Sequence, residues 1–422
     1  MNAYLFLIGL SLVVILSFFC NILARKTNIP SVLILILVGV GIQQLLNYFE
    51  VAEVNLFSAL EVLGIVGLIM IVLEAALDLE LSKNKWPIIW KSFTIAFLSL
   101  GLTFIALSLV IRLIIPEMDI ISSFIYAIPV SILSSAIIIP SVSNMTEYKK
   151  EFLIYESTFS DILGIMVFYL IIENADVEGM KQLSFAIGGN IFLTIAISVI
   201  LSYVLLYVIQ NIKGSAKFFL FLSVLVLLYS VGKMFHLSSL IIILLFGLLL
   251  RNHKVLLFPF LEKWLHDDKI DAVFDQFKMI TIESSFLVRT FFFVVFGMTL
   301  PLADLISWKV WIISVLFLLV GYLLRYGLYY TIERKSIFPQ TFIAPRGLIS
   351  ILLFFAIPEE LKRQGFESGV LFVVIIATSI IMAWSLISNS KRKRNDSDSD
   401  NEPEFEVTRK SRGDEVDYTI DY

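Results

Sequence analysis

Long uninterrupted apolar runs, separated by short clusters of charged residues, are the feature that most constrains how this chain can fold. Leu63–Leu73 and Phe218–Leu228, for example, contain no charged residue. One bilayer crossing needs about 20 apolar residues, and 58% of the 422 residues are hydrophobic while only 16% are charged. Strands of a transmembrane β-barrel would alternate apolar and polar positions, which these runs do not. The sequence therefore predicts an all-α polytopic membrane protein and excludes a water-soluble domain.

Clusters of charged residues divide the apolar sequence into thirteen predicted crossings. They lie near Ala3–Leu23, Val32–Tyr48, Ala59–Leu77, Ile88–Ile115, Ile121–Val142, Phe152–Ile172, Phe185–Val208, Phe218–Val231, Leu237–Leu250, Ser285–Leu300, Val310–Thr331, Phe338–Ile357 and Gly369–Ser388. Cytoplasmic loops are enriched in Lys and Arg, and most basic residues fall in the loops that face the cytoplasm if the N-terminus is outside. The sequence therefore predicts an N-out, C-in topology for a transmembrane domain over residues 1–390.

Two stretches differ in composition from the predicted crossings. Residues 255–280 mix apolar side chains such as Trp264 and Leu265 with charged ones such as Asp267 and Lys269, which predicts an amphipathic helix on the cytoplasmic membrane surface. Residues 391–422 are rich in charge and poor in branched apolar side chains, which predicts a disordered cytoplasmic tail. The net charge is −4, so nothing in the charge balance indicates nucleic-acid binding.

Ionisable side chains inside the predicted crossings are costly in lipid, so each is a candidate functional residue. These residues are Glu74, Glu156, Asp161, Arg289, Arg325 and Arg346. Asp161 lies near the middle of its crossing, and Ser157 and Ser160 are close enough to it in sequence to add oxygen ligands. Arg289 and Arg325 lie near the cytoplasmic ends of their crossings, where long basic side chains can reach water, and we expect both to do so.

Two of the predicted crossings carry residues that interrupt helices. Arg346 follows a proline and precedes a glycine, so the centre of its crossing is predicted to be non-helical. The counterpart is segment 129–140, where two prolines bracket Ser134 and Ser135. The two segments are the fifth of the first six crossings and the fifth of the last six. Interrupted helices at matching places in two halves are typical of inverted-repeat transporters, so we expect two inverted six-helix repeats whose broken helices cross.

Four motifs in this order resemble the sodium/hydrogen exchanger branch of the monovalent cation:proton antiporter superfamily. YESTFSDILGIMVFYLI at 155–171 resembles the Glu-Ser-x-x-Asn-Asp segment of that branch. IVLEAALDLELSKNKW at 71–86 is similar to its third-helix pattern, and FFFVVFGMTL at 291–300 to its Phe-rich segment. APRGLISILL at 344–353 resembles its Arg-Gly helix. The motifs extend over nearly the whole apolar region.

The resemblance implies a homodimer of thirteen-helix antiporter subunits in the cell membrane, plasma or inner, with no cofactor. It implies alternating access, in which a six-helix core carries the ion past a dimerisation domain by an elevator-like movement. It also implies that Asp161 binds the ion, Na⁺ or K⁺, and that Glu156 and Arg346 form a structural salt bridge. The other predicted site residues are Ser134, Ser135, Ser157 and Ser160 as ion ligands, with Glu74 and Arg289 as secondary candidates.

Competition for one carboxylate would couple the two ion fluxes. Protonated Asp161 is neutral and crosses at low cost, whereas ionised Asp161 needs a compensating cation before the carrier can move. Because the sequence places one deep carboxylate at this position, we expect electroneutral one-for-one exchange of Na⁺ for H⁺.

Two departures from the family pattern leave alternatives open. Ser160 stands where the pattern has Asn, and Ser134-Ser135-Ala136 stands where many members have Thr-Asp-Pro. The Ser-Ser element is more similar to the potassium-efflux branch, so the alternatives are a K⁺/H⁺ antiporter and a gated K⁺ channel. A channel would need a carbonyl-lined filter such as TVGYG, which the sequence lacks. An intramembrane enzyme is disfavoured because there is no HExxH motif and no second midplane Asp.

Overall fold

The computed structural model describes residues 3–27, 31–49, 57–142, 145–173, 195–208, 210, 217–234, 239–256, 267–299, 307–333, 337–363 and 366–399. These residues form α-helices joined by short 3₁₀ turns and loops, which confirms the predicted all-α class. The helices are α1 (Ala3–Thr27), α2 (Ser31–Tyr48), α3 (Phe57–Asp78), α4 (Trp86–Ile114), α5 (Ile120–Ser131), α6 (Ser135–Ser141), α7 (Glu147–Glu173), α8 (Ile195–Val208), α9 (Lys217–Met234), α10 (Ser239–Arg251), α11 (His253–Leu256), α12 (Asp267–Met298), α13 (Trp308–Ile332), α14 (Leu348–Phe355) and α15 (Gly369–Ser399).

The helices are long and apolar enough to form a multi-pass membrane protein. Within the described residues, seven candidate spans meet both criteria, and one of them comprises α5 and α6 together. Shorter apolar helices occur in α1, α8 and α10. The predicted total of thirteen crossings and the N-out, C-in orientation stay predictions.

The surface helix predicted over residues 255–280 stays a prediction, and the structure describes only part of this segment. Residues 257–266 lie outside the described residues, and α12 runs without interruption from Asp267 into the apolar segment that ends at Met298. The apolar side chains of Ile270, Phe274 and Phe277 are buried. Because these residues are spaced four and three apart, they form one stripe, and it packs inside the protein rather than on lipid.

The disordered tail predicted for residues 391–422 stays a prediction, and its first residues continue the last helix. Helix α15 continues to Ser399, because Lys391–Arg394 are good helix formers and no Gly or Pro interrupts the segment. Residues 400–422 lie outside the described residues.

The described helices group into two bundles. In the flanking bundle, α12 packs against α1, α2 and α3, and α10 packs against α3 and α9. In the core bundle, α4 packs against α5, α7 and α13, while α13 packs against α15. Contacts of α7 with α3 and α10, and of α14 with α3, connect the two bundles.

Two interrupted segments meet inside the core bundle. Helix α5 ends at Ser131, and the backbone of Ile132 and Ser134 is extended before α6 begins. The second interruption lies between a 3₁₀ turn at Gln340–Phe342 and the start of α14. The Ser134 amide donates a 2.9 Å hydrogen bond to the Pro345 carbonyl, so the two breaks contact each other directly. Both predicted interruptions are therefore present.

Glycine is required where the two breaks contact each other. A Cβ added to Gly347 would lie 2.8 Å from Cδ1 of Ile137 and 2.9 Å from Cβ of Ser134. Such distances are shorter than van der Waals contact, so any larger residue would push the two segments apart.

Candidate functional site

Asp161 lies on α7 beside the interruption between α5 and α6. Asp161 is 1% exposed, and its Oδ2 accepts a 3.1 Å hydrogen bond from the backbone N–H of Ser135. Ser135 is the first residue of α6, so this N–H has no carbonyl partner within the helix. The other carboxylate oxygen, Oδ1, is buried and has no hydrogen-bond partner. Asp161 is thus a buried carboxylate with one oxygen that has no hydrogen-bond partner.

The four predicted serine ligands differ in how much of their hydrogen-bonding capacity is free. Ser160 Oγ accepts a 3.0 Å bond from the Leu133 amide, so it fixes the backbone of the break. Ser157 Oγ donates to the carbonyl of Leu153 at 2.8 Å, within its own helix. Ser134 Oγ is buried with no partner, and Ser135 contacts Asp161 through its backbone amide. Of the four, Ser134 is the serine whose hydroxyl is buried without a hydrogen-bond partner.

Thr158 is a polar residue of this region that the sequence reasoning missed. Its Oγ1 is buried without a hydrogen-bond partner, and it precedes Asp161 by three residues on α7. Residues three apart lie side by side on a helix surface. The spacing could have identified Thr158, but the family motif drew attention to the serines on either side of it.

The structure corrects the predicted salt bridge between Glu156 and Arg346. Glu156 pairs instead with Arg325 of α13, with Nη1 to Oε1 at 2.6 Å and Nη2 to Oε2 at 2.9 Å. The side chains of the two residues are 0% and 2% exposed. Tyr329, four residues after Arg325, donates a 2.5 Å bond to the same carboxylate.

Arg325 is the better partner because the unwound segment, residues 340–347 before α14, supplies acceptors for the rest of its guanidinium. Those acceptors are the backbone carbonyls of Thr341 at 3.0 Å, Gln340 at 3.2 Å and Ile343 at 3.2 Å. Arg325 therefore does not reach water, as the sequence had suggested. The i, i+4 spacing of Arg325 and Tyr329 was the signal that could have revealed an inward-facing polar stripe on α13.

Arg346 lies outside the salt bridge that Glu156 forms with Arg325. Its backbone amide donates to Thr378 Oγ1 at 3.0 Å, and its Nη2 passes Gly321 of α13, 3.9 Å from the position of an added Cβ. The residue is 8% exposed, and Nη1 is buried without a hydrogen-bond partner. The guanidinium of Arg346 is thus not part of the salt bridge that the sequence assigned to it.

The two secondary candidates form a pair in the flanking bundle. Arg289 Nη2 of α12 lies 3.1 Å from Glu74 Oε1 and 3.0 Å from Oε2. Ser285 Oγ also donates to Glu74. The Arg289 and Glu74 side chains are 19% and 18% exposed, so Arg289 is held by a carboxylate instead of extending to water. This pair joins α3 to α12, whereas Asp161 lies on α7.

Comparisons with known proteins agree with this fold. The family model described as sodium/hydrogen exchanger, transmembrane, matches residues 13–387. A structure of the sodium proton antiporter MjNhaP1 from Methanocaldococcus jannaschii at pH 8 is 19% identical, with a TM-score of 0.67 over 92% of this chain and 96% of that one. An electron-microscopy map of the same antiporter is 17% identical, with a TM-score of 0.61 over 93% and 97%. No curated protein sequence matches the chain. The family match spans nearly the whole chain, and the chain therefore belongs to the sodium/hydrogen exchanger family.

Proposed function

We propose that this protein exchanges a monovalent cation, Na⁺ in the first instance, for protons by competition at Asp161. The observation that carries the proposal is the state of this carboxylate: it is 1% exposed, and Oδ1 has no protein partner. A buried charge without compensation is very costly. Asp161 must therefore be either protonated or paired with a cation, and both occupants need the same oxygen.

The oxygens that can complete a cation site lie on α7 and at the α5–α6 break. Ser134 Oγ and Thr158 Oγ1 are buried and unpartnered, and helix interruptions of this kind expose oxygens that coordinate alkali cations in transporters. Ser157 and Ser160 already bond to backbone groups, so their remaining lone pairs have a lesser role. We assign Ser160 mainly to holding the break beside Asp161.

The arrangement of helices supports alternating access. The core bundle carries Asp161 and both interruptions, and it contacts the flanking bundle through a few helix pairs. We propose that the core bundle moves past the flanking bundle with the ion, in a homodimer held by the flanking helices. We propose further that the two interruptions belong to inverted repeats, and that the N-terminus is outside the cell membrane and the C-terminus in the cytoplasm.

The experiment that tests this function is an ion-exchange assay in proteoliposomes that enclose a pH-sensitive dye. External Na⁺, Li⁺ and K⁺ are added in turn, and we expect the lumen to become alkaline as protons leave in exchange for Na⁺. A stronger response to K⁺ would favour the K⁺/H⁺ antiporter alternative. Cation entry without a change in lumenal pH would favour a channel.

Asp161→Asn provides the decisive variant, because it keeps the shape of the side chain but removes the charge. We expect it to abolish exchange while the protein elutes normally on size exclusion. Asp275→Asn is the matched control, since Asp275 is exposed on α12 and should exchange like the wild type. Normal exchange by Asp161→Asn would refute the assignment of the site.

A further inference from the structure

A small cavity lies on the side of the core bundle to which the Arg346 side chain extends. Its volume is about 20 Å³, and α4, α13, α15 and the unwound segment contribute its walls. The polar residues that line it are Ser99, Tyr322, Arg325, Arg346 and Thr378. Neither Asp161 nor Ser134 lines this cavity, so it is separate from the proposed cation site.

Two hydrogen-bond donors at this cavity have no partner. Nη1 of Arg346 is buried and unbonded, and so is the hydroxyl of Tyr322. Arg346 as a whole is 8% exposed, so its guanidinium has little contact with water outside the protein. A buried donor without a partner costs about 1 to 3 kcal/mol, and more when it is charged. A ligand that accepts both hydrogen bonds would remove that cost.

Arg325 and Thr378, two of the other polar residues at the cavity, already have partners. Arg325 is charged, but its guanidinium is balanced by Glu156. The Thr378 hydroxyl donates to the Val374 carbonyl at 2.8 Å and accepts from the Arg346 amide at 3.0 Å. The cavity is therefore left with one uncompensated positive charge and two free donors, and the matching ligand is an acceptor with negative charge.

We propose that this cavity binds a small monovalent anion, a halide such as chloride, between the Arg346 guanidinium and the Tyr322 hydroxyl. The volume admits a ligand about the size of one water molecule. A single-atom anion fits this limit better than sulfate or phosphate, which have five heavy atoms each. The bound anion would balance Arg346 and fix the unwound segment of which Arg346 is part.

The test is the thermal stability of the purified protein in detergent as chloride replaces gluconate, at constant Na⁺ concentration and ionic strength. A ligand that binds only the folded protein raises the apparent Tm in a saturable manner. We expect chloride and bromide to do so and gluconate not to. The key variant is Tyr322→Phe, which removes one donor without changing the fold, and it should weaken the apparent affinity for chloride about tenfold.

Tyr326→Phe is the matched control, because its side chain is 49% exposed on the same helix, one turn further on. It should respond to chloride like the wild type, whereas Arg346→Gln should lose the response. An equal Tm in chloride and gluconate, or the same chloride response in Tyr322→Phe and the wild type, would overturn the proposal. Bromide gives an independent readout: anomalous density in the cavity supports the anion site, and its absence at saturating bromide means that the cavity holds only water.

Discussion

Replacing Arg325 should destabilise the protein more than replacing any other buried arginine that the structure describes. Arg325→Met keeps an unbranched apolar side chain of similar reach but removes the guanidinium. It leaves the Glu156 carboxylate, 0% exposed, with the Tyr329 hydroxyl as its remaining hydrogen-bond donor. The carbonyls of the unwound segment lose their donor at the same time.

The magnitude follows from the burial of both partners. Breaking a buried ion pair by removing one member costs about 3 to 5 kcal/mol, because the other charge stays buried without compensation. With an unfolding entropy of about 2.1 cal/mol/K per residue, 1 kcal/mol shifts the Tm of a chain of this length by about 1 °C. We therefore expect Arg325→Met to lower the apparent Tm by roughly 3 to 5 °C. Arg346→Met is the control, since no carboxylate within hydrogen-bond distance loses its partner there.

A double-mutant cycle in detergent, read by thermal unfolding, tests the pairing itself. Combining Glu156→Gln with Arg325→Met should cost less than the sum of the single changes, with a coupling energy of about 0.5 to 3 kcal/mol. Combining Glu156→Gln with Arg346→Met should be additive. The reasoning fails if the coupling appears with Arg346 instead of Arg325, or if Arg325→Met melts like the wild type.

Two further predictions concern transport stoichiometry and helix packing. One-for-one exchange moves no net charge, so a sudden rise in Na⁺ concentration on proteoliposomes adsorbed to a solid-supported membrane should give no current. Exchange of two protons per cation would instead move one net charge, and its driving force would change by about 2.3 kcal/mol per 100 mV. A steady current would contradict the single-carboxylate mechanism. Gly297→Ala should lower the free energy of unfolding by about 1 to 3 kcal/mol, because its Cβ would lie 3.0 Å from Cα of Gly39 and against the Ile36 carbonyl. Gly41→Ala is the control, because nothing lies within 4 Å of a Cβ added at Gly41. This change should be neutral or slightly stabilising. Equal melting temperatures of the two variants would mean that α2 and α12 are not in close contact at Gly297.

The sequence predicted the parts of the fold that depend on local composition. Apolar runs identify helices, and the proline and glycine beside Arg346 identify a break, because both signals act through the backbone of the segment itself. Asp161 could also be identified from the local sequence, because a short carboxylate side chain in the middle of an apolar run cannot reach water. The position of α12 was harder to predict, because the stripe formed by Ile270, Phe274 and Phe277 suits a lipid surface and a protein surface equally well.

The pairing of the buried charges could not be predicted from the sequence, because it depends on where the unwound backbone lies. Arg346 was the natural partner for Glu156 when only its depth in the crossing was considered. The carbonyls of Gln340, Thr341 and Ile343 become acceptors only where the helix is broken, and in the folded protein they surround Arg325. Depth in the membrane therefore indicates which arginines could pair with Glu156, whereas the location of the free backbone carbonyls determines which of them does.

Two buried acids on α7 differ in the number of partners around each, and this difference supports the proposed assignment of Asp161 as the ion site. Glu156 receives two hydrogen bonds from Arg325 and one from Tyr329, so protonation would break an ion pair and a cation has no free oxygen to bind. Asp161, five residues later, receives one hydrogen bond and keeps Oδ1 unpartnered. Of these two buried carboxylates, Asp161 alone can exchange one ligand for another. Under the proposed function, α7 can therefore stay folded while Asp161 changes its occupant, because Glu156 keeps its partners, and Asp161 offers a single exchangeable position per cycle.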